Sequence, residues 1–509
     1  MQPELAASMP FELRRRTLVL VALLLAVLVL PLADLDVISA SPGAVLRDIG
    51  TGFLRPDFSA VENIGRAVWL TLAIAFSGVA LGALGGLAMA LAWSWRGVRI
   101  LSLCLRGVHE LIWALFISTV TGMVPLAAVI ALALAYSGMF AKVFGEILEE
   151  ADPTPVDSLP DKGRSLSALV YGRLISSLPA FWTYLCYRVE CGIRSSAVLG
   201  FIGLPTLGFE LDTFFKQGQY GAAAAILLMI YGLILSQPLW LKGKLIALYM
   251  IASLTYVFTT SDIAYSSFGF RQLLTVDMVP APLRGADLGD AGVWSAFGAW
   301  LGELTREQVL PGTWATLLVS YLAVVLSGLV ALLGFPLIVP AIVGRIGQGV
   351  WNLVLVILRS TPEYMLVFIG VQIFGPSMLP AILALGLHNG AIIGHLVGRQ
   401  ANNIVPTLRA DRPRGVGLFA YELAPRVSPQ LLSYIFYRAE IILRESMILG
   451  ILGIATLGFY VDSAIATLRF DRAVMLVVAM ILVTACADAG SRALRRRLRT
   501  GGVSVRPFC

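Results

Sequence analysis

The chain has 509 residues, of which 58% are hydrophobic and 14% charged, and its mean hydropathy is +0.83. Soluble domains carry about 25% charged residues, so this composition excludes a soluble protein and indicates one that crosses a membrane many times. The net charge of +7 comes from basic residues in short loops and tails, which argues against nucleic-acid binding. The cysteines show no spacing typical of a disulfide framework or a metal site.

Apolar runs near the roughly 20 residues that cross the hydrocarbon core recur along the chain. The first follows a basic cluster at 14–16 and could be a signal peptide or a span, but the matching run of the second half is internal, which favours an uncleaved helix. The predicted spans of the first half are 17–33, 67–93, 101–122, 124–142, 174–203 and 220–241. Those of the second half are 245–260, 314–342, 350–372, 378–397, 428–455 and 473–490.

Polar segments separate these spans. Lys and Arg of the short loops gather on one side, and the positive-inside rule then places both termini in the cytoplasm. Segments 34–66 and 261–313 are expected to be outside loops, whereas 143–173 and 398–427 are expected in the cytoplasm. Because each half has an even number of spans, the halves are parallel repeats. The prediction is an all-α polytopic membrane protein with about 12 transmembrane helices in two six-helix repeats.

A duplicated segment defines the repeats. The stretch Tyr187–Asp212 matches Tyr437–Asp462 without a gap, and 13 of 26 positions are identical. Self-similarity of this kind indicates a tandem duplication. Residues 1–244 are therefore predicted to form the first repeat and residues 245–509 the second.

Charged residues lie inside the predicted spans, where each would cost about 2.5 to 3.5 kcal/mol at the bilayer centre. The helices that carry them must therefore face protein or water. The members of this set are Arg106, Glu110, Arg188, Glu190 and Arg194 in the first repeat and Arg359, Glu363, Arg438, Glu440 and Arg444 in the second. Two interpretations stay open: ion pairs that set the register of two helices, or guanidinium groups that line a pathway for an anion.

Two kinds of ion pair are expected among these charges. Glu190 precedes Arg194 by four residues, which is the favourable order on one helix face, and the second repeat has the same spacing. Cross-helix pairs, direct or through one water, are also expected in at least one state between Glu110 and Arg188 and between Glu363 and Arg438.

The duplicated segments are also expected to face each other across a pseudo-twofold axis and to form the translocation pathway. They are the most similar parts of the two halves, yet they carry charges unfit for lipid. Ser196 and Ser446 are predicted to line this path, so that cysteines placed there would react with water-soluble reagents. Glycines allow helices to approach closely or to break. The predicted pathway glycines are Gly200, Gly203, Gly450 and Gly453.

The sequence lacks recognisable catalytic motifs. It has three histidines, no His-Glu-x-x-His pair, no cysteine cluster and no Gly-rich phosphate loop, so neither a catalytic nor a metal site is predicted. The energy for transport must then come from a partner or from an ion gradient. An ion-gradient-driven secondary transporter of six-plus-six type for a small anion is the alternative to a partner-driven permease.

Several motifs resemble those of one transporter family. They are Arg-Gly-Val-His-Glu-Leu-Ile-Trp-Ala at 106–114, Pro-Thr-Pro-Val-Asp at 153–157, Tyr-Gly-Arg-Leu at 171–174 and Leu-Pro-Ala-Phe at 178–181. This pattern is similar to the permease subunit of bacterial phosphonate ABC importers, with a more diverged copy at about 350–490. The resemblance implies a type I importer fold, two permease units fused in one chain, and movement of phosphonate, phosphite, hypophosphite or a phosphate ester across the bacterial inner membrane.

The resemblance also implies partners. Two ATPase subunits would bind ATP and Mg, so this chain would hold no cofactor itself, and an extracytoplasmic binding protein would capture the anion. In this family a cytoplasmic loop couples the permease to the ATPase through an acidic residue and a glycine six residues apart. Asp157 and Gly163 match that pattern, and the second repeat has Gly415 without a matching acid.

Overall fold

The computed structural model describes residues 17, 19–61, 64–151, 170–261, 271–409 and 411–497. Helices account for the regular secondary structure of these residues, and short 3-10 and π turns join several of them. In chain order the helices are α1 (Val19–Leu32), α2 (Pro42–Leu54), α3 (Ile64–Leu91), α4 (Arg96–Gly107), α5 (Glu110–Thr121), α6 (Pro125–Glu150), α7 (Ile175–Val198), α8 (Leu207–Lys216), α9 (Tyr220–Trp240), α10 (Gly243–Thr260), α11 (Ala291–Leu304), α12 (Leu310–Gly334), α13 (Pro340–Ser360), α14 (Glu363–Phe374), α15 (Met378–Ile404), α16 (Ala424–Ile448), α17 (Leu457–Ala466) and α18 (Phe470–Arg497).

Many of these helices are long and apolar enough to cross a membrane. Within the described ranges eight pass this test alone, or up to eleven if each of three bent helix pairs forms one span. The prediction of an all-α membrane protein that crosses the bilayer several times is therefore confirmed. The count of twelve spans stays a prediction, and α1 is an apolar helix shorter than a full span.

The third predicted span of the first repeat is not straight. Helix α4 ends at Gly107, the chain is extended at His109, and α5 begins at Glu110 with its axis turned by 89°. If residues 101–122 form one span, that span is therefore sharply bent, and its existence stays a prediction. The break puts Arg106 in the last turn of α4 and Glu110 in the first turn of α5, where each charge complements the partial charge of its helix end.

The second repeat has the same arrangement of charges at helix ends. Arg359 lies in the last turn of α13, and Glu363 opens α14 directly after Pro362. Proline fits this place because the residue before a helix has no need of an N–H donor and the residue before proline resists the helical conformation. The spacing of arginine and glutamate in both repeats therefore marks a helix break.

A helix occupies part of the predicted outer loop at 261–313. Residues 291–338 form one helical run, in which a π turn at Thr305–Val309 joins α11 to α12. The loop prediction is wrong for its second half. The helix begins there because Asp290 Oδ1 accepts a hydrogen bond from the N–H of Gly292 at 2.8 Å, which satisfies a donor at the helix start.

The described chain packs as two compact units. The N-terminal unit contains residues 46–297 and 461–481, and the C-terminal unit contains residues 17–45, 298–460 and 482–497. The two repeats are predicted from the duplication in the sequence and not from these units. Their boundary at residue 244 stays a prediction.

Rows of glycine bring two helices close together in each unit. In the N-terminal unit a Cβ added to the glycines of α3 would overlap side chains of α6, and these glycines are Gly78, Gly82 and Gly86. In the C-terminal unit the row lies on α15 and faces α12, and its members include Gly386, Gly390 and Gly398. Small residues of this kind let helix backbones approach inside a membrane. The close packing holds Tyr136 of α6 and Asn389 of α15 fully buried in their units.

Candidate functional site

Both duplicated segments break at the same point. In the first, α7 passes into a 3-10 turn at Leu199–Ile202, and Gly203 then takes a left-handed conformation with φ +95°. In the second, the turn at Leu449–Leu452 ends at Gly453 with φ +86°. Glycine adopts this conformation without the steric cost that other residues meet. The helix after the break is turned by 46° in the first segment and by 42° in the second.

A buried threonine from another helix holds each break. Thr71 Oγ1 of α3 accepts a hydrogen bond from the N–H of Leu207 at 3.1 Å. Thr316 Oγ1 of α12 accepts one from the N–H of Leu457, also at 3.1 Å. The first N–H groups of a helix have no partner within the helix. The two threonines therefore satisfy donors that would otherwise be left unpaired in a protein interior.

The chain after each break folds back onto the helix before it. A Cβ at Gly208 would overlap the carbonyl oxygen of Ala197, and a Cβ at Gly200 would overlap the backbone that follows Gly208. Gly458 and Gly450 make the same close approaches in the second segment. Close backbone contact is thus a sufficient reason for glycine at these positions, and the role of the glycines in a pathway stays a prediction.

Arg188 of α7 lies among tyrosine rings. Its Nε donates a hydrogen bond to the hydroxyl of Tyr184 at 2.7 Å. Its Cζ lies between 5.1 and 5.6 Å from the ring centroids of Tyr136, Tyr184 and Tyr187, within the range of cation–π attraction. The hydroxyl of Tyr136 in turn lies 3.3 Å from Ser195 Oγ. Aromatic faces and a hydroxyl stabilise this guanidinium without neutralising its charge.

The predicted ion pair between Glu110 and Arg188 is not formed in this structure. Glu110 Oε2 instead lies 3.4 Å from His109 Nδ1, which also accepts a hydrogen bond from the N–H of Leu111 at 3.3 Å. Both Glu110 and Arg188 act electrostatically on Tyr136. The tyrosine side chain takes the place beside the guanidinium that the carboxylate was predicted to fill.

Arg438 of α16 belongs to a polar network in the C-terminal unit. Its Nη1 donates to Asn389 Oδ1 at 3.3 Å, and Asn389 Nδ2 donates to Glu445 Oε2 at 3.2 Å. Asn389 is fully buried and Glu445 is 8% exposed, so both have little access to solvent. The amide of Asn389 therefore bridges a cation and a carboxyl group.

Glu363 lies beside a histidine and not beside Arg438. Its Oε2 is 3.7 Å from His388 Nε2, while His388 Nδ1 donates to the carbonyl oxygen of Leu358 at 3.0 Å. The predicted pair between Glu363 and Arg438 is thus replaced by two separate contacts among the described residues, because α15 inserts His388 and Asn389 there.

The pairs within one helix differ between the repeats. Arg444 Nη2 lies 3.9 Å from Glu440 Oε1, as the spacing of four residues favours. Glu190 and Arg194 are both half-buried. The Nε of Arg194 is buried and has no hydrogen-bond partner among the residues that the structure describes. An unsatisfied buried donor is costly, so this atom is a place where a ligand or a change of state would be stabilising.

The two serines predicted to line the path are fully buried in this structure. Ser196 Oγ donates to the carbonyl oxygen of Ile193 at 2.9 Å, and Ser446 Oγ lies 2.6 Å from Ser320 Oγ of α12. Small side chains at these positions allow neighbouring helices to pack closely. That cysteines at these positions would react with water-soluble reagents stays a prediction.

Of the three predicted coupling residues, Asp157 and Gly163 lie outside the described residues, and only Gly415 can be placed. Gly415, after α15, has a left-handed φ of +59°, and nothing lies within 4 Å of the place where a Cβ would stand. Its carbonyl oxygen accepts a hydrogen bond from the N–H of Phe419 at 3.2 Å. Phe419 lies in the first part of the π turn Leu418–Leu423, which precedes α16.

Sequence reasoning missed Tyr136, Asn389 and Glu445. Aligning the two repeats reveals Glu445, because an acid there replaces Ser195 in an otherwise similar helix. No comparable signal points to Tyr136 or Asn389, since each acts through a partner on another helix.

The two arginine sites differ in the groups that hold the guanidinium. Arg188 is held by neutral groups and keeps its positive charge, whereas Arg438 is linked through Asn389 to the carboxyl group of Glu445. A guanidinium that is not paired with a carboxylate offers a planar fork of donors that fits oxyanions. The site around Arg188 is therefore able to attract an anion, while the site around Arg438 is largely satisfied internally.

Comparison with known proteins places the chain among permeases. It is 26% identical over 431 residues to the phosphate-import permease protein PhnE of Mycolicibacterium smegmatis. The aligned region covers 78% of this chain and 77% of that relative. It is 33% identical over 189 residues to the phosphite transport system permease protein PtxC of Stutzerimonas stutzeri. The aligned region covers 35% of this chain and 69% of that relative. No family model and no solved structure matches the chain. These similarities show that the chain belongs to the family of phosphonate-type ABC importer permeases, which includes the phosphate and phosphite permeases just described.

Proposed function

We propose that this chain is the transmembrane permease of an ATP-driven importer that moves phosphonate or a related phosphorus oxyanion, such as phosphite, hypophosphite or a phosphate ester, across the bacterial cytoplasmic membrane. The observation that carries the proposal is the similarity to a phosphite permease at 33% identity over 69% of that relative. The apolar helices and the guanidinium of Arg188, held by neutral groups, are consistent with a path for an anion.

The chain has room for two permease units. The aligned region with PtxC covers 69% of that relative but 35% of this chain, whereas the aligned region with PhnE runs over 78% of this chain. The repeated break after α7 and after α16, each held by a threonine, also supports a duplication. We therefore retain residues 1–244 and 245–509 as the two fused units.

The proposal includes partners that supply energy and substrate. Two ATPase subunits would bind ATP and Mg on the cytoplasmic side, where both termini lie, and a binding protein would deliver the anion from outside. Asp157, Gly163 and Gly415 would contact the ATPase subunits. Arg188 would offer the passing anion a weak site, because an anion that bound tightly in the path could not leave.

Uptake into proteoliposomes tests this function. The chain is reconstituted with its ATPase subunits and its binding protein, and the uptake of labelled phosphonate, phosphite and phosphate is measured. Uptake is expected to require ATP and the binding protein and to persist when ionophores remove ion gradients. Uptake that follows an imposed ion gradient without ATP would refute the proposal in favour of a secondary transporter.

Replacing Arg188 with methionine is expected to lower this uptake at least about tenfold, since a charge-assisted hydrogen bond to an oxyanion contributes roughly 1.5 to 3 kcal/mol. Methionine is unbranched and uncharged and fills part of the same space, and thermal unfolding in detergent checks that the variant is folded. Arg96→Met removes an exposed arginine of α4 and serves as the control. A folded Arg188→Met variant with normal uptake would limit this arginine to a packing role.

Gly415→Ala is expected to uncouple ATP hydrolysis from transport while the protein stays folded. The left-handed φ of +59° costs a residue with a Cβ about 1 to 2 kcal/mol, but no neighbouring atom blocks the added carbon. The turn is therefore expected to shift, so that less anion enters per ATP hydrolysed. Gly285→Ala is the matched control, because Gly285 has φ +63°, equally empty surroundings and a place in the predicted outer loop. Equal coupling ratios in the two variants would count against a coupling role for Gly415.

A further inference from the structure

A cavity of about 320 Å³ lies between α13 and α15 in the C-terminal unit. Its lining residues are Ile338, Gln348, Asn352, His395, Arg399 and Asn402. Its volume is within the range of about 300 to 1,000 Å³ that is usual for small-molecule sites. Five of the six lining residues carry polar side chains, which is unusual next to helices that are otherwise apolar.

Local features of the two helices build this cavity. The chain kinks at Gly344, where φ is +76°, so the rest of α13 takes a new direction. Gln348 and Asn352 are four residues apart and share one face of α13. His395 and Arg399 share a face of α15 in the same way, one turn before the helix ends.

The cavity has donors to offer and no carboxylate among the described residues that line it. His395 is 9% exposed, and its Nδ1 has no hydrogen-bond partner in the described chain. Arg399 brings a positive charge to the lining. Asn402 Nδ2 donates to the carbonyl oxygen of Ile338 at 3.2 Å, which holds this end of the cavity in place.

The face of α13 that points away from the cavity is apolar and exposed. Ile346 is 86% exposed and Leu353 is 57% exposed, and both lie on the segment that carries Gln348 and Asn352. Exposed apolar side chains of this size on a membrane helix face lipid. Helix α13 therefore separates the polar side chains of the cavity from an apolar surface that acyl chains can cover.

We infer that this cavity is an anion site that takes a phosphoryl group. A guanidinium fork, an imidazole and two carboxamides match the several acceptor oxygens of such a group. Two sources share this chemistry: a free phosphorus oxyanion in solution, or the headgroup of an anionic phospholipid whose acyl chains lie along α13. The site is separate from the surroundings of Arg188, and it does not depend on the proposed function, because it requires the local chemistry alone.

Binding measurements on the purified full chain, stripped of lipid in detergent, test the site. Isothermal titration calorimetry with inorganic phosphate probes the free anion. Native mass spectrometry with added phosphatidylglycerol, compared with phosphatidylcholine, probes the headgroup. The variants are Arg399→Gln and Gln348→Met, and the control is Arg409→Gln, which removes the same charge from an exposed place beyond α15.

Arg399→Gln is expected to weaken binding about tenfold or more, and Gln348→Met by a smaller factor, while Arg409→Gln leaves binding unchanged. If this pattern holds for phosphate, the ligand is the free oxyanion. If it holds for phosphatidylglycerol and phosphate does not bind, the ligand is the lipid headgroup. The inference is overturned if the unmodified chain binds neither probe more tightly than Arg399→Gln does, or if the control variant loses as much binding. Gln348→Met removes no charge, so its effect separates a built site from general electrostatic attraction.

Discussion

Gly208→Ala is expected to prevent the chain from accumulating as a folded protein. The added Cβ would overlap the carbonyl oxygen of Ala197, and a backbone atom cannot rotate away as a flexible side chain can. Relief would require α8 to move, which would break the hydrogen bond from Leu207 to Thr71. A cost above about 4 to 5 kcal/mol is expected, which is exceptional for a single substitution. The measurement is the yield of monodisperse protein in detergent and its midpoint of thermal unfolding.

A matched glycine provides the control for this experiment. Gly232 lies within α9, and nothing is within 4 Å of the place where its Cβ would stand. Gly232→Ala is therefore expected to be neutral or to stabilise the helix by roughly 0.5 to 1 kcal/mol. Gly458→Ala should behave like Gly208→Ala, because a Cβ there would overlap the carbonyl oxygen of Met447. Normal yield of Gly208→Ala would show that the close approach after the break is not required.

Asn389→Leu is expected to destabilise the C-terminal unit by about 3 to 5 kcal/mol. The leucine has a similar volume but gives Glu445 no donor and Arg438 no acceptor, and Asn389 and Glu445 are buried. Removing the partner of a buried charged group leaves that group unsatisfied, which costs more than the net contribution of the original contact. The shift in the midpoint of thermal unfolding measures the effect.

Asn403→Leu controls for the same chemical change at an exposed place on α15, and it should leave the midpoint close to that of the unmodified chain.

A double-mutant cycle then tests the network. Arg438→Met removes the guanidinium and Glu445→Gln removes the carboxyl group, and together they should cost less than the sum of the two single changes. Additive effects would mean that Arg438 and Glu445 do not act on each other.

Arg188 and Arg438 are expected to contribute unequally to transport, because different groups hold their guanidinium groups. If both halves bound the anion equally, Arg438→Met would lower uptake as much as Arg188→Met. Arg438 already donates from Nη1 to Asn389, whereas Arg188 uses its Nε, so Arg438 offers fewer terminal donors to a passing anion. The N-terminal unit is therefore the one from which we expect most of the attraction for substrate.

The sequence by itself determined the membrane class and the family, and it predicted the duplication. Composition decides the solvent in which a chain folds, and the match between Tyr187–Asp212 and Tyr437–Asp462 is a property of the sequence letters alone. It also located the glycines of both breaks, because a left-handed conformation and a close backbone approach each select glycine. It did not predict the bend after Gly107, although a glycine there and a proline at 362 were local signals of it.

Tertiary structure decided which groups the intramembrane charges meet. Spacing along a helix fixes which residues share a face, so the pair of Glu440 and Arg444 could be predicted. The partner across a helix interface depends on how far two helices approach and on their rotation, and the glycine rows of α3 and α15 set that approach. For this reason Arg188 meets Tyr136 and Arg438 meets Asn389, where the sequence had predicted carboxylates.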